Sequence, residues 1–96
     1  MVDVIMVREK DGTATVNIPQ RKVYHSPDGF DWGYAGSGPA DLSLNILLEF
    51  GMDEHEADRL HQKFKAYFIQ NIPYKGGVLA HEIIHNWIKR NELITR

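Results

Sequence analysis

The hydrophobic pattern opens with a period of two and changes to helical periodicity in the middle of the chain. Residues 2–8 place Val4 and Met6 on one side and Ile5 and Val7 on the other. A strand apolar on both faces is expected to be covered on both. Residues 13–18 alternate cleanly, with Ala14, Val16 and Ile18 inward and Thr13, Thr15 and Asn17 outward. Asp11-Gly12 between the two runs supplies the positive φ of a tight hairpin turn. Pro19 cannot donate to a ladder and ends the second strand, and Lys22 to His25 is expected to add a short third one.

Helical periodicity then takes over. Pro39 to Phe50 predicts a helix with Ser37 or Gly38 near its cap, Pro39 in its first turn and Gly51 as its terminator. Around it, Asp41, Asn45 and Glu49 form one polar stripe, and Ala40, Leu42, Leu44, Ile46, Leu47, Leu48 and Phe50 fill most of the remaining circumference. So apolar a helix is central to its fold. A second helix begins at Asp53, with Glu56 as capping-box partner, and carries Ala57, Leu60, Phe64, Tyr67 and Phe68 as its inner stripe. Ile72-Pro73 ends it, and Tyr74-Lys75-Gly76-Gly77 reads as a turn before Val78-Leu79. A third helix turns Ala80, Ile83, Ile84, Trp87 and Ile88 inward. The expectation is a single α+β domain over 1–96: an antiparallel hairpin or three-stranded meander, a long Gly/aromatic loop, then three helices.

Composition narrows the function classes. With 96 residues, 43% hydrophobic and 25% charged, the chain suits one globular core. A formal charge of −2 and a pI near 6.2 supply no basic field, so nucleic acid is not the expected partner. The absence of cysteine removes disulfides, thiolate metal sites and cysteine nucleophiles, and fits a cytoplasmic setting. The opening residues carry Asp3 and read as a strand rather than a signal peptide, and no apolar run approaches the ~20 residues of a membrane helix.

Between Pro27 and Gly38 no period survives. Phe30, Trp32 and Tyr34 alternate there among Gly29, Gly33, Gly36 and Gly38, which on an extended backbone puts three rings on one side. The glycines ahead of a helix could present N–H groups to an anion, but no Lys or Arg lies between Lys22 and Arg59 to assist. The loop therefore reads as a clasp closing aromatic rings over the central helix, with its exposed edge as a contact surface. Asp28, Phe30, Trp32, Tyr34 and Ser37 are the candidate binding residues, a protein the expected partner, and a homodimer the alternative use of the same aromatic surface.

The sharpest catalytic candidate is H-E-I-I-H at His81 to His85. Two imidazoles four residues apart on a helix can ligate one zinc, with Glu82 beside them as general base. The ten residues V-L-A-H-E-I-I-H-N-W resemble the zincin metalloproteases. Only eleven residues follow His85, Glu92 lies two turns further along, and His25, His55 or His61 would have to fold in as third ligand. His81 lies at the margin of the apolar stripe and His85 further out, so a solvated pair without metal is the leading expectation; a zinc-dependent hydrolase is the alternative.

The stretch S-P-D-G-F-D-W-G-Y-A-G-S-G-P-A-D-L-S-L-N-I-L is similar to the S-P-x-G-F-x-W-G-Y-x-G-S-G-P-A-x-L-A signature of a small domain family in bacteria, archaea and their phages and plasmids. The resemblance extends to an acidic residue, an isoleucine and a tryptophan near the C-terminus, matched by Glu82, Ile83 and Trp87; Ser43 departs from the small apolar residue usual there. It does not carry the two histidines and implies no established activity. It implies an accessory or host-interaction role, and a non-catalytic binding module is the leading functional expectation.

Overall fold

A computed structural model of the chain describes residues 2–25 and 29–92. The elements run β1 (Val4–Arg8), β2 (Ala14–Val16), α1 (Ser37–Glu49), α2 (Glu54–Tyr67), a 3-10 turn at Ile69–Asn71, β3 (Gly76–Leu79) and α3 (His81–Asn91). The sheet is antiparallel with order β2-β1-β3; Met6 faces Val16 across one pair and Val4 faces Leu79 across the other. The α+β class, the hairpin and the three helices agree with the sequence pattern.

Two expectations about the sheet are corrected. Its third strand is Gly76–Leu79, on the other side of β1, and Lys22 to His25 forms no strand. The reason lies in Gly76: at φ +113°, its backbone sits so close to β1 that an added Cβ would lie 2.0 Å from the Met6 carbonyl oxygen. The pair read as a turn is a strand that only glycine lets approach. Second, β1 is covered on one face only among the described residues. Val4 and Met6 are buried, whereas Ile5 and Val7 are each 43% exposed beside Val78.

Helix α1 is enclosed. Every residue from Gly38 to Leu47 is buried, including Asp41, Ser43 and Asn45. Its apolar side packs most extensively on α2, where Ala57, Leu60 and Phe64 are buried, and Trp87 of α3 meets Phe64 edge-on at 5.1 Å between ring centres. Each such buried Leu, Ile or Phe contributes roughly 1.5–3 kcal/mol. The helix starts at Gly36 without a side-chain cap. It stops where Gly51, at φ +91°, directs its N–H to Leu48 O and lets Met52 N–H reach Leu47 O. Helix α2 has the expected cap, Asp53 accepting from Glu56 N–H at 2.9 Å. Tyr67 and Ile83, placed inward by periodicity, lie outside at 61% and 49% exposure because both sit at the edge of their helical stripe.

The polar stripe of α1 is covered by the chain itself. Asn45 Oδ1 accepts from the N–H groups of Arg21 and Lys22, and its Nδ2 donates to Lys22 O and Asp41 O. Asp41 accepts from the N–H groups of Tyr24 and His25, and Glu49 pairs with Arg21. Segment 21–25 is thus held along α1 by side chains that stand in for a neighbouring strand.

The geometry at Gly76 yields a paired prediction. Gly76→Ala lowers unfolding free energy by about 2–4 kcal/mol, because the Cβ meets backbone and the positive φ is strained. Gly77→Ala, whose Cβ would meet only Ile72 Cγ2 at 3.8 Å, changes it by less than about 1 kcal/mol. Urea denaturation of the two variants beside wild type reads both.

Candidate functional site

The loop entering α1 is built around Arg8, which arrives from β1. Its guanidinium lies between the rings of Trp32 and Tyr74, 4.5 and 4.2 Å from their centres. In that slot it pairs with Asp31 at 2.7 Å and donates through Nε to Tyr74 O at 3.1 Å. Planar stacking on two rings with in-plane hydrogen bonds at the rim is what a guanidinium does and an ammonium cannot. The side chain is only 8% exposed, so the cation absent from the loop's own sequence is supplied from a distance and neutralised by Asp31.

Trp32 forms the floor of this arrangement. It is 1% exposed, and its indole N–H is shared between Pro73 O at 3.0 Å and Tyr74 O at 3.1 Å. Gly33, at φ +89°, then reverses the chain and donates to Ile69 O. The reversal breaks the extended geometry on which the alternation of rings relied. Phe30 is half-buried against the core, Trp32 is buried, and Tyr34 is 50% exposed, so the three rings do not share one side.

Tyr34 folds back over the start of α1. Its ring lies where a Gly36 Cβ would be, 2.3 Å from Cε2, and its hydroxyl sits 3.5 Å from the corresponding position at Gly38 while donating to Asp31 Oδ2 at 3.2 Å. Desolvation of the hydroxyl, then the neighbouring Asp31 charge, raises the Tyr34 phenol above its ordinary range. Gly36 and Gly38 therefore make a bed for one aromatic ring. Tyr34 and Tyr74 flank the Arg8–Asp31 ion pair from its two rims and remain 50% and 66% exposed. Ser37, the first residue of α1, is also exposed. Asp28 lies outside the described residues.

Arg8, Asp31 and Tyr74 carry this site and were not among the sequence candidates. Asp31 stands inside the signature but between two aromatics that draw the attention; Arg8 and Tyr74 come from other elements, and no local spacing announces them.

At the other candidate, His81 is the first residue of α3. Its backbone N–H donates to Asp3 Oδ1 at 2.9 Å, and its ring Nδ1–H donates to the same oxygen at 2.7 Å. That contact fixes Nε2 as the free lone pair when the ring is neutral. The ring of His85 stands 6.5 Å from that of His81, at right angles to it, and edge-on to Phe50 at 5.1 Å. Glu82 is exposed. Among the described residues no three His, Asp or Glu groups are arranged to hold one metal ion.

The model of DUF6166, a family of unknown function, matches residues 2–90. The chain belongs to that family. The DUF6166 match spans the sheet, the loop and helices α1 and α2 whole, and α3 to within one residue of its end. No curated protein and no solved structure matches the chain.

The Asp3 contact has a pH signature. The backbone N–H of His81, and after it the ring N–H, hold the Asp3 carboxyl below its ordinary range. A carboxylate so depressed contributes its full stability above its unfolded-state value near pH ~4 and loses it as pH falls through the lower folded value. Asp3→Ala accordingly lowers the melting temperature at pH 7, and the gap to wild type closes as the pH is taken below ~4. Thermal melts of both proteins across that range check it.

Proposed function

We propose that this DUF6166 domain is a non-catalytic binding module that engages a protein partner through the aromatic surface of Tyr34 and Tyr74. The observation that supports it is the mounting of those two rings. Both flank a single ion pair, Arg8–Asp31, that is stacked on buried Trp32, and both keep half or more of their surface exposed. Tyrosine loses little conformational entropy on binding, and less still when its position is already fixed. A pair of rigid, exposed aromatic rings is the usual composition of an interface centre. Phe30, half-buried in the same loop, and Ser37, the exposed first residue of α1, are the further candidate contacts. The chain's net charge of −2 and the engagement of Arg8 by Asp31 favour a protein over a nucleic acid. No helix among the described residues is long and apolar enough to cross a membrane. An accessory role in the cytoplasm, alongside phage or other mobile-element proteins, is consistent with such a module.

The double variant Tyr34→Ser, Tyr74→Ser tests the reading. It should keep the wild-type fold by circular dichroism and weaken capture of the partner from host lysate by at least about tenfold, since removal of central aromatic anchors costs more than ~1.4 kcal/mol. Light scattering on the same samples identifies a second copy of the chain as the partner if wild type is dimeric and the variant is not. Unchanged capture and unchanged mass would overturn the proposal.

The alternative is a zinc hydrolase with His81 and His85 as ligands and Glu82 as base. One contact favours it: a carboxylate bonded to the second nitrogen of a histidine, as Asp3 is to His81, is the usual support of a zinc ligand. Metal analysis of untagged protein, with melts in the presence and absence of chelator, separates the two readings. The binding module predicts less than about a tenth of an equivalent of zinc and the same melting temperature with chelator, because a bound ion would stabilise the fold by mass action. Stoichiometric zinc with a chelator-sensitive melt would favour the hydrolase.

A further inference from the structure

We propose that the hydrogen bond between His25 and His61 is a proton-operated latch that fastens segment 21–25 to the helices and opens when both rings are charged. His61 is buried on α2, 3% exposed, and its Nδ1 lies 2.7 Å from Asp58 O. A carbonyl only accepts, so Nδ1 carries the hydrogen and Nε2 of the neutral ring is an acceptor. The Nε2 of His25 lies 2.9 Å from it and must be the donor.

The ring centres are 5.1 Å apart and the planes 25° from parallel. That separation exceeds the distance between the nitrogens by about two ring radii, so the two nitrogens face each other along one line. They do not converge on a third point as ligands of a tetrahedral ion would. The bond is suited to hold a proton.

The pair has three protonation states with different consequences. The neutral pair holds one proton on the shared line. A first added proton goes to the outer nitrogen of His25, which is exposed, and the shared bond becomes charge-assisted and stronger. A second must go to Nε2 of His61. Two N–H bonds then point at each other across 2.9 Å, and the rings have to part. Tyr24 and Asp41 stand against the pair, and Lys22, paired with Glu54 and near Asp58 on α2, lies over the Tyr24 ring. None of these groups can remove the steric conflict between two hydrogens on one line.

The other anchors decide which part of the segment moves. Asn45 holds Arg21 and Lys22 by three hydrogen bonds that no proton in this range disturbs. Tyr24 and His25 are held by Asp41 and by the latch. Opening therefore leaves the 24–25 end held by Asp41 alone, while the 21–22 end keeps all its bonds to Asn45. The 24–25 end leads directly into the Gly/aromatic loop.

Hydrogen exchange of the full chain, expressed as protection relative to the intrinsic rate at each pH, tests the latch. In wild type the Tyr24 amide should lose about tenfold in protection between pH ~6.5 and ~4.5, while the Lys22 amide stays constant. In His25→Gln the side-chain amide can donate to a neutral His61 or accept from a charged one, so Tyr24 should stay protected throughout. A flat response in wild type would overturn the proposal. So would an equal loss in both proteins, which would trace the opening to Asp41 or another carboxylate.

Discussion

The constraint from which the rest of this structure follows is the enclosure of α1. A helix buried on every side has no solvated face on which to place Asp41 and Asn45, and each would cost about 1–3 kcal/mol if left without partners. Their partners are the backbone groups of segment 21–25. The primary amide of Asn45 accepts and donates as a peptide group does, so it serves Lys22 from both sides as an adjacent strand would. The arrangement solves two problems at once: the buried stripe is satisfied, and an irregular segment has its own backbone polarity accounted for. This is why residues with some β character at 22–25 run beside the helix without joining the sheet.

The same device recurs at the sheet. After β2 ends at Val16, Asn17 Oδ1 accepts from Ile5 N–H and its Nδ2 donates to Asp3 O, extending the pairing of β1 by a side chain. That holds Asp3 in register, and Asp3 in turn receives the first N–H of α3. The N-terminal strand is thereby tied to the C-terminal helix through a polar chain, in addition to the β1–β3 ladder. The paired imidazoles of H-E-I-I-H find local structural partners in this arrangement: His81 completes the Asp3 contact, and His85 packs on Phe50 at the end of α1.

Legibility in the sequence followed the range of the interaction. The C-terminal stop of α1 and the N-cap of α2 were readable because Gly51, Asp53 and Glu56 act within a few residues of themselves, whereas the N-cap of α1 fell on Gly36 and not on Ser37 or Gly38. The stripe of Asp41, Asn45 and Glu49 was readable as a pattern, but periodicity carries no information about what lies over a face, and here it is the chain's own backbone. β3 was hidden because Gly76 and Gly77 have no strand propensity; its place depends on a close approach to Met6 that only the fold creates. The ring alternation at Phe30, Trp32 and Tyr34 misled because one positive φ at Gly33 turns the chain between the second ring and the third. The contact of His25 with His61 joins residues thirty-six apart, and no spacing rule could have paired them.

The Arg8 slot explains why a surface built on loops can still be rigid. Arg8 belongs to β1, Asp31 and Trp32 to the loop before α1, and Tyr74 to the turn before β3, so one guanidinium ties three separate stretches of chain. Trp32 adds two hydrogen bonds from the loop to that turn. Neither loop can shift without losing contacts of a largely buried charge, and leaving such a charge unpaired costs several kcal/mol. Tyr34 inherits this rigidity through Asp31 and through its bed on Gly36 and Gly38; Tyr74 inherits it by stacking on Arg8 directly. The glycines that look like flexibility in the sequence thus have the opposite effect in the fold. They allow an aromatic ring to lie against backbone, and the chain around that ring is held by an ion pair anchored in the sheet.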